Sequence, residues 1–155
     1  TVAETAGEVC KNWEELKLKE KDGNKSLLSG VPASLPSLIK AYRMQEKAAN
    51  VGFDWENKED VWNKVVEELQ ELRVEFERGD KAAAEAEFGD FIFSIVNAGR
   101  LYHMNPDNAL ELTNKKFYNR FSYVEERAKE QGKSLREMTL GEMDELWNDA
   151  KKLQG

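Results

Sequence analysis

Cysteine occurs once in the 155 residues, at Cys10, and histidine once, at His103. A lone thiol closes no internal disulfide, and one imidazole with one thiol cannot form the clustered sets that hold zinc. Proline is nearly as scarce, at three residues, so little in the chain interrupts a helix. Apolar runs long enough for a membrane span or a signal h-region are also lacking. With a single thiol, this leads us to expect a cytoplasmic protein with no membrane partner. Clustered basic residues are missing too. The formal net charge is −7, and binding to a polyanion such as DNA needs clustered Lys and Arg, so no nucleic-acid partner is expected.

What the chain does contain is charge and helix-forming residues: 34% Asp, Glu, Lys and Arg beside 40% hydrophobic residues, enough to bury an ordinary core. Residues 8–21 read as a short helix. Gly23, Gly30, Pro32 and Pro36 then break the periodicity and mark a linker. From Leu35 onward the spacing predicts helices over residues 36–50, 58–78, 80–104, 106–130 and 141–153. Gly52 and Gly79 follow helix ends, Asp80 suits an N-cap, and Asn105-Pro106 places proline in a first turn. Short connections between such helices predict an all-α helical bundle. Gly7-Glu8-Val9 with Trp13 and Lys17 is echoed at one constant offset by Gly141-Glu142-Met143 with Trp147 and Lys151. The echo, and a chain that begins at Thr1, suggest that residues 1–34 are the last helix of an upstream copy plus a linker, with the main domain at 35–155.

On the helix at 58–78, Val61, Trp62, Val65, Val66, Leu69, Leu72 and Phe76 span an arc of about 140°, and Glu68, Glu71 and Glu75 lie beside it. On the next helix Phe88, Phe91, Ile92, Phe93, Ile95 and Val96 spread over about 200°, leaving only the narrow polar stripe of Glu87, Asp90, Ser94 and Asn97. Such a helix is expected to be buried, with its acids turned inward and neutralised by cations. Gly89, between the two acids, suggests a close backbone approach. Glu68-x-x-Glu71 and Glu87-x-x-Asp90 thus form two i, i+3 pairs and, face to face, a box of four carboxylates. Oxygen-only ligands select a hard cation, Mg²⁺ or Mn²⁺. Di-iron bundles need Glu-x-x-His, whereas three residues before His103 stands Arg100; we take His103 as structural or surface.

Two other patterns fail. Gly132-Lys133-Ser134 resembles the end of a phosphate loop, but Arg127 occupies the position of the required earlier glycine. Phe117, Phe121 and Tyr123 have helical spacing with no basic stripe interleaving them, and read as core rather than a base-stacking platform. Lys116 and Arg120, four apart on one helix, suit phosphate oxygens if they stand beside a metal box.

The ordered segments LPSLIKAYRMQEKAANVGFDW, KVVEELQEL, EFGDFIFSIVNAGRL, NKKFYNRFSYVEER and EMDELW resemble the C-terminal domain of MazG nucleoside triphosphate pyrophosphohydrolases from about Leu35 to the C-terminus. Residues 1–34 resemble the end of the N-terminal MazG domain with the interdomain linker. The resemblance implies an all-α homodimer that converts nucleoside triphosphates, ATP included, to monophosphate and pyrophosphate with Mg²⁺. It implies that Glu68, Glu71, Glu87 and Asp90 are the metal-binding and catalytic acids. It further implies that Lys64, Lys116 and Arg120 contact the triphosphate and that Trp147 lies against the nucleotide. One departure stands out: where some members carry a lysine one turn before E-x-x-D this chain has Ala83, with Lys81 nearby.

The mechanism expected from these residues is attack by a metal-activated water at the α-phosphorus, with Glu68 or Glu71 as general base. No Ser, Cys or His stands in an activating arrangement for a covalent route. The rival readings are a catalytically silent helical dimerisation module and a pyrophosphatase specific for one special nucleotide.

Overall fold

The structure, a computed structural model, describes Trp13 and residues 26–154. The proposed upstream helix at 8–21 and most of the echo therefore lie outside the described residues. The rest is all-α, as the spacing predicts. Five helices follow one another: α1 (Ser37–Asn50), α2 (Lys58–Arg78), α3 (Lys81–Leu101), α4 (Pro106–Glu130) and α5 (Leu140–Gln154). Short 3-10 turns at Leu27–Gly30 and Leu135–Glu137 are the other regular elements, and no strand occurs among the described residues. The linker expected before Leu35 is thus partly ordered: Ser26 caps the first turn, and Val31 is buried.

The chain separates into two compact units, residues 1–107 and 108–155. In the first, α2 and α3 are joined by only Gly79 and Asp80 and run as an antiparallel hairpin. Gly79 ends α2 at φ 77°, a left-handed conformation that costs a residue with a Cβ dearly. Asp80 starts α3, its carboxylate accepting from Ala83 N at 3.1 Å. Asp80→Ala should lower unfolding free energy by about 1 kcal/mol through the lost cap, read as a shift in the urea midpoint. An unshifted midpoint would mean that the loop, not the cap, holds the hairpin.

Val61, Val65 and Ala98 form the core of this unit, with Phe91 and Leu101 packed on it. The helix α1 crosses α3 through Gln45, whose Nε2 donates to Phe93 O at 3.0 Å. After α1, Gly52 turns at φ 97° and Phe53 N returns to Ala48 O at 2.9 Å. The next residue, Asp54, is clasped by the Arg100 guanidinium of α3.

Three expectations need correction. The third helix stops at Leu101 rather than 104, because His103 adopts φ 60° and Met104 N bonds back to Gly99 O at 3.0 Å. A left-handed histidine gives no composition signal of a stop. The helix α3 is not enclosed either: Phe88, Ile92, Phe93 and Ile95 are exposed, and among the described residues of its unit α2 and α1 are the helices that pack on it most. Gly89 faces open space, with no backbone close to it among the described residues.

In the second unit Val124 and Ala128 of α4 pack on Met138 and on Leu146 of α5, with Leu135, Met143 and Trp147 at the margin. Thr139 and Glu142 make a capping box: Glu142 N donates to Thr139 Oγ1 at 3.1 Å, while Glu142 Oε1 receives Thr139 N at 3.4 Å. Lys133, from the failed phosphate-loop pattern, donates to Glu142 Oε2 at 2.9 Å, which holds the Glu142 carboxyl below its usual range. Phe117 and Phe121 stack at 5.9 Å but stay exposed rather than joining the core, since the stripe that packs inward on α4 is that of Val124 and Ala128.

Candidate active site

The core stripe of α2 runs Val61, Val65, Glu68, Leu72, so helical periodicity carries one carboxylate into the buried face. Glu68 is only 7% exposed. The two-residue loop sets the register, placing Glu87 of α3 level with Glu71 and Leu72. Glu68, Glu71 and Glu87 each bring a carboxylate oxygen within 4.8 Å of the others. Asp90, one turn further along α3, is exposed and stands outside this set, although its charge is felt at Glu87.

The electrostatics of the cluster are unfavourable as it stands. Burial is the largest influence raising the Glu87 pKa, followed by the charges of Glu71, Asp90 and Glu68. On Glu68, Oε1 accepts from Lys64 Nζ at 3.0 Å, a bond that raises the lysine pKa. The other oxygen of Glu68, and Oε2 of Glu87, are sealed from water without a hydrogen-bond partner. Two unpartnered carboxylate oxygens on facing helices, with a third acid beside them, are a donor set that a hard divalent cation would satisfy. Access exists: Glu71 and Glu87 line an open hollow of about 300 Å³.

Without metal the raised Glu87 pKa has a consequence for stability. In the fold this carboxyl binds its proton more tightly than in the unfolded chain, so its contribution is full below the ordinary carboxylate pKa. That contribution is lost as pH rises through the raised value. In EDTA, Glu87→Gln should therefore flatten a fall in melting temperature across this window. A wild-type profile that does not fall there, or the same fall in the variant, would contradict the crowding of charge at Glu87.

The second unit brings together two residues that the resemblance singles out. The Arg120 guanidinium lies over the Trp147 ring at 5.8 Å, and Phe117 meets the same indole at 5.3 Å. Arg120 Nε is buried without a partner, whereas Lys116 is exposed. Lys81 is exposed at the start of α3. His103 is exposed at the surface, as expected. Gln45, Asp54 and Arg100 were not singled out by the sequence. Gln45 alone had a signal, being a polar residue on the stripe Leu38, Tyr42, Gln45, Ala49.

No family model matches the chain. Curated proteins do. The chain is 40% identical over 149 residues to the nucleoside triphosphate pyrophosphohydrolase/pyrophosphatase MazG of Thermotoga maritima, covering 96% of this chain and 57% of that protein. It is 36% identical over 154 residues to the nucleoside triphosphate pyrophosphohydrolase of Escherichia coli K12, covering 97% of this chain and 59% of that protein. It is also 49% identical over 149 residues to the uncharacterized protein YabN of Bacillus subtilis, covering 95% of this chain and 30% of that protein. The chain thus spans rather more than half the length of the first two relatives. Across almost all of its own residues the chain is similar to these two proteins named nucleoside triphosphate pyrophosphohydrolase.

Proposed function

We propose that this chain hydrolyses nucleoside triphosphates to the monophosphate and pyrophosphate with a divalent cation, Mg²⁺ or in its place Mn²⁺. The observation that carries the reading is the cluster of Glu68, Glu71 and Glu87 with two sealed, unpartnered carboxylate oxygens. These three acids, joined by Asp90, would hold the cation, which when bound supplies charge neutralisation at the phosphates and a more acidic water. The chain's own work is then to accept a proton. Glu71, exposed at the hollow, is better placed than the buried Glu68 to take it from the attacking water. Oxygen from water bonds to the α-phosphorus, the bond to the bridging oxygen breaks, and pyrophosphate departs.

Lys64, paired with Glu68, is assigned with Lys116 and Arg120 to phosphate oxygens and Trp147 to the nucleotide, as the resemblance of the motifs implies. Residues 35–155 would be the working domain and 1–34 the tail of an upstream copy with its linker. A second copy of the chain would cover the exposed Phe88, Ile92 and Ile95 of α3 with Val66 and Leu69 of α2. No described helix is long and apolar enough to cross a membrane, and we place the enzyme in the cytoplasm.

The test is to incubate the chain with a panel of nucleoside triphosphates and Mg²⁺ and to identify the phosphate products. Pyrophosphate is expected as the first product. Primary release of orthophosphate would overturn the assignment, and no turnover of any nucleotide would favour a silent dimerisation module.

A further inference from the structure

The hollow beside the glutamate cluster is walled mainly by acids, which repel a polyphosphate. Glu67, Glu71 and Glu75 of α2 and Glu87 of α3 line it, with Gln70 and Val74 between them. Among the described residues around this opening one cation stands: Arg78, the last residue of α2. Glu71, Glu75 and Arg78 follow at intervals of four and three, so helical periodicity sets them in one row. The arginine is leashed rather than extended. Its Nη1 turns back along the helix and donates to Glu75 Oε1 at 3.3 Å, which brings the guanidinium to about one turn, roughly 6 Å along the axis, beyond Glu71. The next cation in the chain faces elsewhere, because Lys81 borders a separate notch with Phe76, Ala84 and Phe88. One turn before Glu87 on α3 stands Ala83, which brings no charge.

We infer that Arg78 binds the terminal phosphate of the nucleotide and so makes the site prefer triphosphates to diphosphates. The inference rests on the pyrophosphohydrolase reading for its choice of ligand. From the cluster the hollow leads on to Glu75, whose charge would repel the far end of a polyphosphate chain. Arg78 offsets that charge. Its planar fork carries more donors than Glu75 uses, which leaves N–H groups for two phosphate oxygens at once. With its side chain 70% exposed, the ion pair to Glu75 is worth little in itself, so turning the guanidinium toward a phosphate costs little. A diphosphate is one phosphate shorter. It ends short of the guanidinium and gains nothing from it.

The experiment is calorimetric binding of two uncleavable analogues, α,β-methylene-ATP and α,β-methylene-ADP, to the 155-residue chain in Mg²⁺. Wild type should bind the triphosphate analogue at least about tenfold more tightly than the diphosphate analogue. Arg78→Ala should weaken the triphosphate analogue at least about tenfold and leave the diphosphate analogue within about twofold, which removes the preference. Arg78→Lys, with the charge but not the fork, should fall between the two, and it carries the test should the alanine variant fail to fold. Glu75→Gln separates a ligand contact from simple support of the helix end, where a cation is favoured in any case. It removes the charge from the same ion pair, yet should leave triphosphate binding as tight as in wild type or tighter. No binding of either analogue, equal affinity for both, equal weakening of both by Arg78→Ala, or a loss in Glu75→Gln as large as that in Arg78→Ala would overturn the assignment. Pyrophosphate release from an Arg78→Ala chain whose triphosphate preference is intact removes the role of Arg78 and leaves the reaction. A preference lost in Arg78→Ala, in a chain that releases no pyrophosphate from any nucleotide, keeps the phosphate contact and removes the reaction.

Discussion

On the proposed function, Glu68→Gln should lower kcat/KM for every nucleoside triphosphate by about a thousandfold in Mg²⁺, because a carboxylate that would hold the metal is worth several kcal/mol of transition-state stabilisation. The change is small in volume. It deletes the negative charge between Lys64 and the other acids, yet Lys64 keeps Glu67 at 3.6 Å, so the helix retains a local partner for its lysine. Melting in EDTA should therefore stay close to wild type, while the rise in melting temperature on adding Mg²⁺ should vanish. Asp90→Asn makes the companion test, since Asp90 stands outside the close cluster in the ligand-free chain. If Asp90 joins the ligands when metal binds, its variant also loses Mg²⁺ stabilisation. A fully active Glu68→Gln protein, stabilised by Mg²⁺ like wild type, would refute the metal assignment.

Arg120→Ala should cost about a hundredfold in kcat/KM, and alike across all nucleotides, because charge-assisted bonds to phosphate are worth about 1.5 to 3 kcal/mol each. The arginine is held for such a role: its guanidinium rests on Trp147 and its Nε is buried without a partner. Arg120→Lys should rescue little, since a lysine supplies a point charge but neither the planar fork nor the stacking. Trp147→Ala should act in part through Arg120 and raise KM, with less effect on kcat. Losses from Arg120→Ala confined to one nucleotide would contradict a phosphate contact and point to the base instead.

The α2–α3 hairpin and its acids were legible because their causes are local. Glycine at φ 77° and an aspartate cap fix the loop, and a two-residue loop with two helical periods then fixes which glutamates meet. The end of α3 was not legible, because it depends on a left-handed His103 where sequence rules look for glycine. Burial of α3 was overread, since a wide apolar arc records what a helix can cover and not which chain covers it. The setting of the turn after α1 was invisible for a different reason. It rests on contacts such as Gln45 with Phe93 and Asp54 with Arg100, nearly fifty residues apart, that leave no periodic trace. Phe117 and Phe121 look like core by spacing, yet only the packing of Val124 and Ala128 against α5 decides which face of α4 turns inward.

The most direct measurement of the central claim is turnover of a nucleoside triphosphate in ¹⁸O-labelled water with Mg²⁺, followed by mass spectrometry of both products. Attack at the α-phosphorus by water activated at Glu68, Glu71 and Glu87 predicts one ¹⁸O in the nucleoside monophosphate and none in pyrophosphate, with turnover abolished by EDTA. Label found in the pyrophosphate, or turnover that persists in EDTA, would contradict it.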